Sequence, residues 1–234
     1  AHPLLEKRTQ RKSALVFVIT SDTGLCGSYN TNILDRVGQF LRADDAKQLK
    51  HFIAIGRHGA SYLKRARQTV SKELAVPKPQ ELDNVIGEIA QRATGEFIKG
   101  EADQVLFIYT HVVSLGSLKP TLASLFPLVA GESEAGSKKT TPSEEKIVDY
   151  IIEPNLNQVL EIMLPEYIEA TVGQFVKHAL VSEQASRMMA MRQATDNAKE
   201  MIESLTLLRN KARQASITKE LIEVVSGSRA LQMR

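Results

Sequence analysis

A long segment near the C-terminal end constrains the fold of this chain more than any other feature. Residues 174–226 contain neither glycine nor proline over 53 positions, and Gly173 and Gly227 flank them. Because glycine and proline are the residues that most often end helices, this segment predicts one helix from about Pro165 to about Leu231. At 1.5 Å per residue such a helix is roughly 100 Å long, which is more than a small domain can pack on its own core.

Within this helix, apolar residues recur at alternating spacings of three and four, the a/d pattern of a coiled coil. Most of them are alanine or methionine, so another helix can approach closely, and the pattern favours a slender antiparallel pair over a thick bundle. Periodicity alone leaves two interpretations open, a dimerisation coiled coil and a shaft that enters another assembly. The residues of this seam are Met191, Ala194, Ala198, Met201, Leu205, Leu208, Ala212 and Ala215.

The composition argues against several classes of protein. The 234 residues have a net charge of +3 and no tryptophan, so neither a polyanionic partner nor an aromatic nucleic-acid platform is indicated. A single cysteine, Cys26, excludes an internal disulfide, and the five histidines have no metal-ligand spacing. No apolar run approaches 18 residues, and no signal peptide begins the chain. We therefore expect no nucleic-acid partner, no metal, no cofactor and no direct membrane insertion.

The segment before the long helix alternates between strand and helix patterns. A continuous apolar run at residues 14–20 predicts a strand buried on both faces, and a glycine-containing turn and a helix at 30–42 follow it. This order is typical of a doubly wound fold. The other predicted elements are strands at 51–56, 70–71 and 104–110, helices at 58–67, 83–98 and 156–162, and strands at 121–129 and 146–152 that are antiparallel at or near the sheet edge.

The turn after the first strand, Thr20-Ser-Asp-Thr-Gly-Leu-Cys-Gly27, suggests a nucleotide site, because glycines between a strand and a helix can bring backbone amides near a phosphate. It matches neither GxGxxG nor GxxxxGK[ST], and no lysine follows it. A tight turn is the better interpretation. No His or Asp is placed by the sequence to activate Cys26, and no catalytic constellation is found elsewhere.

Near the far end of the helix, four basic residues fall within eleven positions, with polar residues between them. We call the stretch from Arg209 to Lys219 the basic collar. It indicates either a solvated helix face or a surface for acidic loops of a surrounding partner. The next turn of the helix is apolar on more than one side, as expected of a helix end inside a hydrophobic sleeve, through Leu221, Ile222, Val224 and Val225.

Two stretches carry a family resemblance, ITSDTGLCGSYN and SEQASRMMAMRQATDNAKEMIESLTLLRNKARQASITKELIEVVSGSRAL. Together with the α/β segment between them, they resemble the γ subunit of F-type ATP synthases over essentially the whole chain. The alternative hypothesis is an α/β nucleotide-binding protein that dimerises through a coiled coil.

The resemblance implies a Rossmann-like doubly wound α/β domain followed by a very long C-terminal helix that is half of an antiparallel coiled coil. It implies a rotor shaft inside a hexamer of α and β subunits, with the α/β domain on the ε subunit and the membrane c-ring. It further implies that the γ chain itself carries out no chemistry. The expected location is the cytoplasmic face of a bacterial inner membrane, or the matrix or stromal face of an organelle membrane.

The resemblance also implies partner-contact residues. Arg213, Gln214 and Thr218 fall where the family's shaft meets a catch loop of the β subunit, and Glu220 lies beside them. Arg187 matches a basic residue lower on the shaft that approaches the lever region of β.

Family members begin with a long helix that completes the coiled coil, and this sequence starts after it. We therefore expect residues 1–13 to be a linker from that helix, residues 14–153 to be the α/β domain with a flexible loop at 131–145, and residues 154–234 to be the long helix. Thr23 and Ser28 stand where arginine and glycine are common in the family.

Overall fold

The computed structural model describes Leu4 and residues 13–43, 49–114, 116–128 and 155–232. These residues fall into two compact units, Ala1–Arg187 and Met188–Arg234. The elements are β1 Ser13–Ile19, α1 Tyr29–Arg42, β2 Leu49–Ile55, α2 Arg57–Arg65, β3 Thr69–Leu74, α3 Leu82–Ile98, β4 Gln104–Ser114, β5 Ser117–Phe126 and α4 Leu156–Gln232.

The first unit is built on a five-stranded sheet in the order β3-β2-β1-β4-β5. The first four strands in this order pair in parallel, and β5 pairs antiparallel with β4 at the sheet edge. The predicted doubly wound sheet with an antiparallel edge strand is therefore confirmed.

The side chains on the two faces of β1, the central strand, belong to two separate hydrophobic cores. Leu15, Phe17 and Ile19 pack with α3 and the first part of α4. The alternate residues of β1 pack with α1 and α2 on the other face. Successive side chains of a strand point to opposite faces, so a strand covered by helices on both sides must be apolar throughout. The uninterrupted run in the sequence follows from this position.

Two strands are longer than the sequence pattern predicts. The brief strand expected at residues 70–71 is six residues long, with alternating partly buried and exposed side chains. β3 lies at the sheet edge, where half-burial weakens the apolar signal. The strand expected at 121–129 begins at Ser117, because β4 extends to Ser114 and the two form a hairpin. The strand predicted at 146–152 and the loop at 131–145 lie outside the described residues.

The separate short helix predicted at 156–162 is wrong, because one helix of 77 residues runs through Pro165. Gly173 and Gly227, which flank the glycine-free segment, lie inside the helix, in agreement with the predicted bounds. A glycine lowers helix stability by only about 1 kcal/mol, and tertiary packing outweighs this at Gly173, which is covered by the side chain of Ile86. Leu164 and Ile168, both buried, hold the helix against the core on either side of Pro165.

In the second unit, Met188–Arg234, the helix is almost wholly exposed, including many apolar side chains. Among the described residues, no helix combines the length and the apolar character that a bilayer-spanning segment needs.

Candidate partner-contact site

The turn between β1 and α1 is closed by its own side chains. The Ser21 N–H donates to Asn30 Oδ1 at 3.1 Å, and Asn30 Nδ2 donates to Ser21 Oγ at 2.7 Å. Leu25 and Gly27 both have positive φ, 63° and 56°, which lets the chain reverse within a few residues. The turn therefore directs its polar groups at itself, in agreement with the tight-turn interpretation.

The N-terminus of α2, at the same sheet edge, is also occupied by the chain itself. The Arg57 N–H donates to Asp22 Oδ1 at 2.9 Å, and the Gly59 N–H donates to Thr20 Oγ1 at 2.8 Å. The other Asp22 oxygen, Oδ2, accepts from the Val76 N–H at 2.9 Å. A carboxylate thus sits where a helix N-terminus binds a phosphate in nucleotide-binding folds.

A cleft of about 310 Å³ lies beside these groups and is lined by Asp22, Arg57 and Glu73, with apolar and backbone atoms between them. Arg57 already faces Asp22, with Nε 3.9 Å from Oδ1. The second carboxylate, Glu73, is paired with Lys64 at 2.5 Å, so the basic groups at this cleft already have acidic partners and are not free to hold the phosphates of a nucleotide. The nucleotide-binding alternative is not favoured.

The turn has a different partner, the part of α4 that belongs to the first unit. Tyr29 Oη donates to the backbone oxygen of Ala179 at 3.1 Å, and Ser186 Oγ donates to the Cys26 oxygen at 2.6 Å. Ser182 Oγ donates to the Thr110 oxygen at 2.9 Å, at the end of the adjacent strand β4. All three bonds are buried. We call this set of contacts the α4 seat.

Arg187, the predicted lever-contact residue, lies at the end of this seat. Its Nη2 is 2.7 Å from Glu183 Oε1 and donates to Thr23 Oγ1 at 2.9 Å. The hydroxyl at position 23 accepts this bond from the guanidinium, which has donors only. The guanidinium is thus engaged within the chain, and its contact with a partner remains a prediction.

Burial of Tyr29 raises the pKa of its hydroxyl well above the usual value, and the nearby Glu183 carboxylate adds to the increase. The hydroxyl therefore stays protonated and acts as a hydrogen-bond donor to α4.

The other four predicted contact residues lie in the second unit and are exposed. Arg213 and Glu220 are seven residues apart and share one side of the helix, while Gln214 and Thr218 are four apart on an adjacent strip. Thr218 Oγ1 donates to the Gln214 oxygen at 2.8 Å, within the helix. The side chains of Arg213 and Gln214 have no hydrogen-bonding partner in the part of the chain that the structure describes.

Sequence reasoning missed two groups of polar residues. Ser182 and Ser186 continue the buried stripe of α4 at helical spacing, and this spacing was the available signal. His111 and His178 show no metal-ligand spacing in the sequence, yet their ring centroids lie 4.3 Å apart. Nothing in the sequence pairs them, because one is on β4 and the other on α4. No cluster of three or more metal-ligating side chains occurs among the described residues.

Comparison with known proteins agrees with this architecture. The family model described as ATP synthase matches residues 1–231. The ATP synthase gamma chain of Dehalococcoides mccartyi is 39% identical over 232 residues, covering 98% of this chain and 76% of the relative. The gamma chain of Roseiflexus castenholzii is 38% identical, covering 97% of this chain and 76% of the relative.

Two solved assemblies contain chains of the same fold. One comes from the Euglena gracilis mitochondrial ATP synthase (OSCP/F1/c-ring), with a TM-score of 0.63, 16% identity, and coverage of 98% of this chain and 78% of that one. The other comes from the central stalk and c-ring of the Tetrahymena thermophila enzyme, with a TM-score of 0.56, 22% identity, and coverage of 80% and 79%. Since the family model and the curated relatives both match nearly the whole sequence, this chain belongs to the ATP synthase gamma chain family.

Proposed function

We propose that this chain is the central rotor-shaft subunit of an ATP synthase. In this role it couples proton-driven rotation to conformational change at the catalytic β subunits, for ATP synthesis or hydrolysis. The observation that carries the proposal is α4, a single helix of 77 residues whose part beyond Arg187 exposes large apolar side chains. An exposed apolar helix of this length needs a surrounding partner.

The shaft itself supplies no catalytic group in this proposal. Helix amides at the carboxyl edge of the sheet are bonded to Thr20 and Asp22, and both carboxylates of the cleft beside them have a basic partner within the chain. These features support a non-catalytic subunit of an enzyme complex that needs no cofactor of its own.

The partners we infer are the α and β subunits around Met188–Arg234, and the ε subunit and membrane c-ring for the α/β unit. Nucleic acid has no place in this arrangement. The protein works at the membrane periphery, on the cytoplasmic face of a bacterial inner membrane or on the corresponding matrix or stromal face of an organelle.

Within the shaft, we assign Arg213, Gln214, Thr218 and Glu220 to the catch-loop contact with β, and Arg187 to its lever region. The exposed side chains of Arg213 and Gln214 support the first assignment, since they can donate to acidic or carbonyl oxygens of a partner. About a quarter of the Arg187 side chain is exposed although it is paired with Glu183, so part of the side chain is accessible to a partner.

The test is the double variant Arg213→Ala with Gln214→Ala in the assembled enzyme. We expect ATP-driven torque and proton pumping to fall, because charged contacts that hold the shaft in one orientation are lost. Circular dichroism of the α/β unit should not change.

The chain offers a matched control for this test, because Arg192 and Gln193 form the same dipeptide, also exposed, on the same helix. Their double alanine variant should pump protons like the unmodified enzyme. Equal ATP synthesis in the collar variant and the unmodified enzyme would count against the catch-loop assignment.

The alternative, a nucleotide-binding dimer, makes the opposite prediction for the isolated chain. It requires tight binding of ATP or ADP by titration calorimetry and a stable homodimer by sedimentation, whereas the rotor proposal requires neither.

A further inference from the structure

The inward stripe of α4 changes character as it reaches the carboxyl edge of the sheet. Up to Ala179 it is apolar, and its members include Val172 and Val176, both fully buried. The next positions of the same stripe are Ser182 and Ser186, with 0% and 8% exposure. A buried hydroxyl requires a hydrogen-bond partner, so these positions are specified by polar contacts and not by apolar packing alone.

Those contacts reach three separate elements of the domain. Ser182 bonds to the end of β4, Ser186 bonds to the β1–α1 turn, and Tyr29 bonds to α4 from the first residue of α1. Thr110 lies beyond Ile108, the last β4 residue that pairs with β1, so its oxygen is past the end of that ladder. The Ser182 hydroxyl therefore supplies this carbonyl with a hydrogen-bond donor.

Apolar packing and hydrogen bonding hold a helix in different ways. The hydrophobic effect is non-directional, so a smooth apolar stripe resists separation of a helix from a sheet more than it resists rotation. A hydrogen bond depends steeply on distance and angle. A shift of one residue turns a helix by about 100° and moves it 1.5 Å, which would break all three bonds together.

We propose that Ser182, Ser186 and Tyr29 are positioning residues that lock the rotational orientation of α4 on the α/β domain, so that torque passes from the domain into the helix without slip. The Glu183–Arg187 pair, with Arg187 bonded to Thr23, extends the lock by one helical turn. This inference rests on the proposed rotor function.

The test compares variants in the complete enzyme, assembled from the gamma subunit that carries this chain and reconstituted in lipid vesicles. Two quantities are measured on the same vesicles, ATP hydrolysis and ATP-driven proton uptake. For Ser182→Ala with Ser186→Ala, we expect hydrolysis to continue while protons pumped per ATP fall at least about twofold, since two directional bonds are lost. Tyr29→Phe, which removes one hydroxyl and preserves packing, should give a smaller loss in the same direction.

Two control variants match these changes without touching the seat. Ser204→Ala with Ser228→Ala removes two exposed hydroxyls from the same helix, and Tyr62→Phe removes a tyrosine hydroxyl on α2. Both should pump like the unmodified enzyme. Hydrogen exchange of the amides at 182–187 should accelerate by about tenfold in the serine variant only, because local opening becomes easier.

A purely structural role of the serines would lower the amount of assembled enzyme and reduce both activities in proportion, leaving protons per ATP unchanged. That result, or unchanged coupling in both the serine variant and Tyr29→Phe, would overturn the lock. If the unmodified subunit does not enter an assembly with α and β at all, the rotor proposal itself fails.

Discussion

Two histidines, one on β4 and one on α4, lie side by side in the first unit. The His111 and His178 rings are neighbours, and the Val112 N–H donates to His178 Nδ1 at 3.4 Å. Burial lowers the pKa of His178, and the charge of His111 lowers it further. Tyr109 also lies near His178, and Lys119 pairs across the strands with His111, so these neighbours supply no carboxylate to stabilise an imidazolium.

We expect acid to destabilise the protein through His178. Its folded-state pKa lies below its unfolded value of about 6.5, so the unfolded chain binds more protons as the pH falls through that value. Stability from this group is therefore full above about pH 7 and declines as the pH falls below its unfolded pKa. Protonation also converts the acceptor of the Val112 bond into a donor.

The measurement is urea unfolding at a series of pH values from 8 to 5, for the unmodified chain and for His178→Gln. The glutamine oxygen can accept the same N–H but does not titrate, so the variant should show a shallower loss of stability in acid. Identical pH profiles for the two proteins would show that His178 does not contribute.

At the scale of elements, the attachment of α2 to the end of β1 depends on one glycine. Gly56 has φ of 96°, and a Cβ at this position would lie 2.3 Å from the backbone oxygen of Thr20. Backbone atoms cannot move aside as a flexible side chain can. The close approach brings the start of α2 to Thr20 and Asp22, and it thereby closes the edge of the sheet to phosphate.

Gly56→Ala should therefore lower the free energy of unfolding by at least about 2 kcal/mol, since positive φ and the steric contact act together. Gly95→Ala is the control, because Gly95 lies inside α3 with open space around it. That change should be neutral or raise stability by up to about 1 kcal/mol through helix propensity. Chemical denaturation measures both, and a Gly56→Ala protein as stable as the Gly95→Ala protein would contradict the steric argument.

At the scale of the whole molecule, the two units differ in what stabilises them. The first has two buried cores, whereas the second is a helix to Gln232 in which almost every side chain that the structure describes is exposed. Helical stability in proteins comes mainly from the packing of an apolar face. The helix of the second unit is therefore expected to become fully stable only when partners cover it.

This difference predicts a change in hydrogen exchange on assembly. In the isolated chain, amides of Met188–Arg234 should exchange much faster than those of β1, because a helix without tertiary contacts opens easily. After assembly with α and β subunits they should become protected, while β1 should be slow in both states. Equal exchange of the helix in the two states would indicate that no partner covers it.

The spacing of apolar residues along the chain was sufficient to predict most of the helices and strands. The apolar run of β1 and the pattern of α3 each identified an element within a residue or two of its observed bounds, whereas the glycine-free segment identified the long helix but placed its start near Pro165 and not at Leu156. The signal was weaker for β3, where half-burial at an edge leaves a mixed pattern, and it failed at Pro165, where packing on both sides overrides a helix breaker. The family followed from motif resemblance and not from periodicity.

The sequence by itself determined the strand and helix order and the presence of a helix too long for one domain, because these depend on the spacing of apolar residues along the chain. Only the tertiary structure decided which distant groups meet. It placed Ser182 against the end of β4 and Ser186 against the β1–α1 turn. It also set Arg187 beside Thr23 and bonded the first amide of α2 to Asp22. Such contacts join residues far apart in sequence, and their bonds depend on distances and angles that spacing along a chain does not contain.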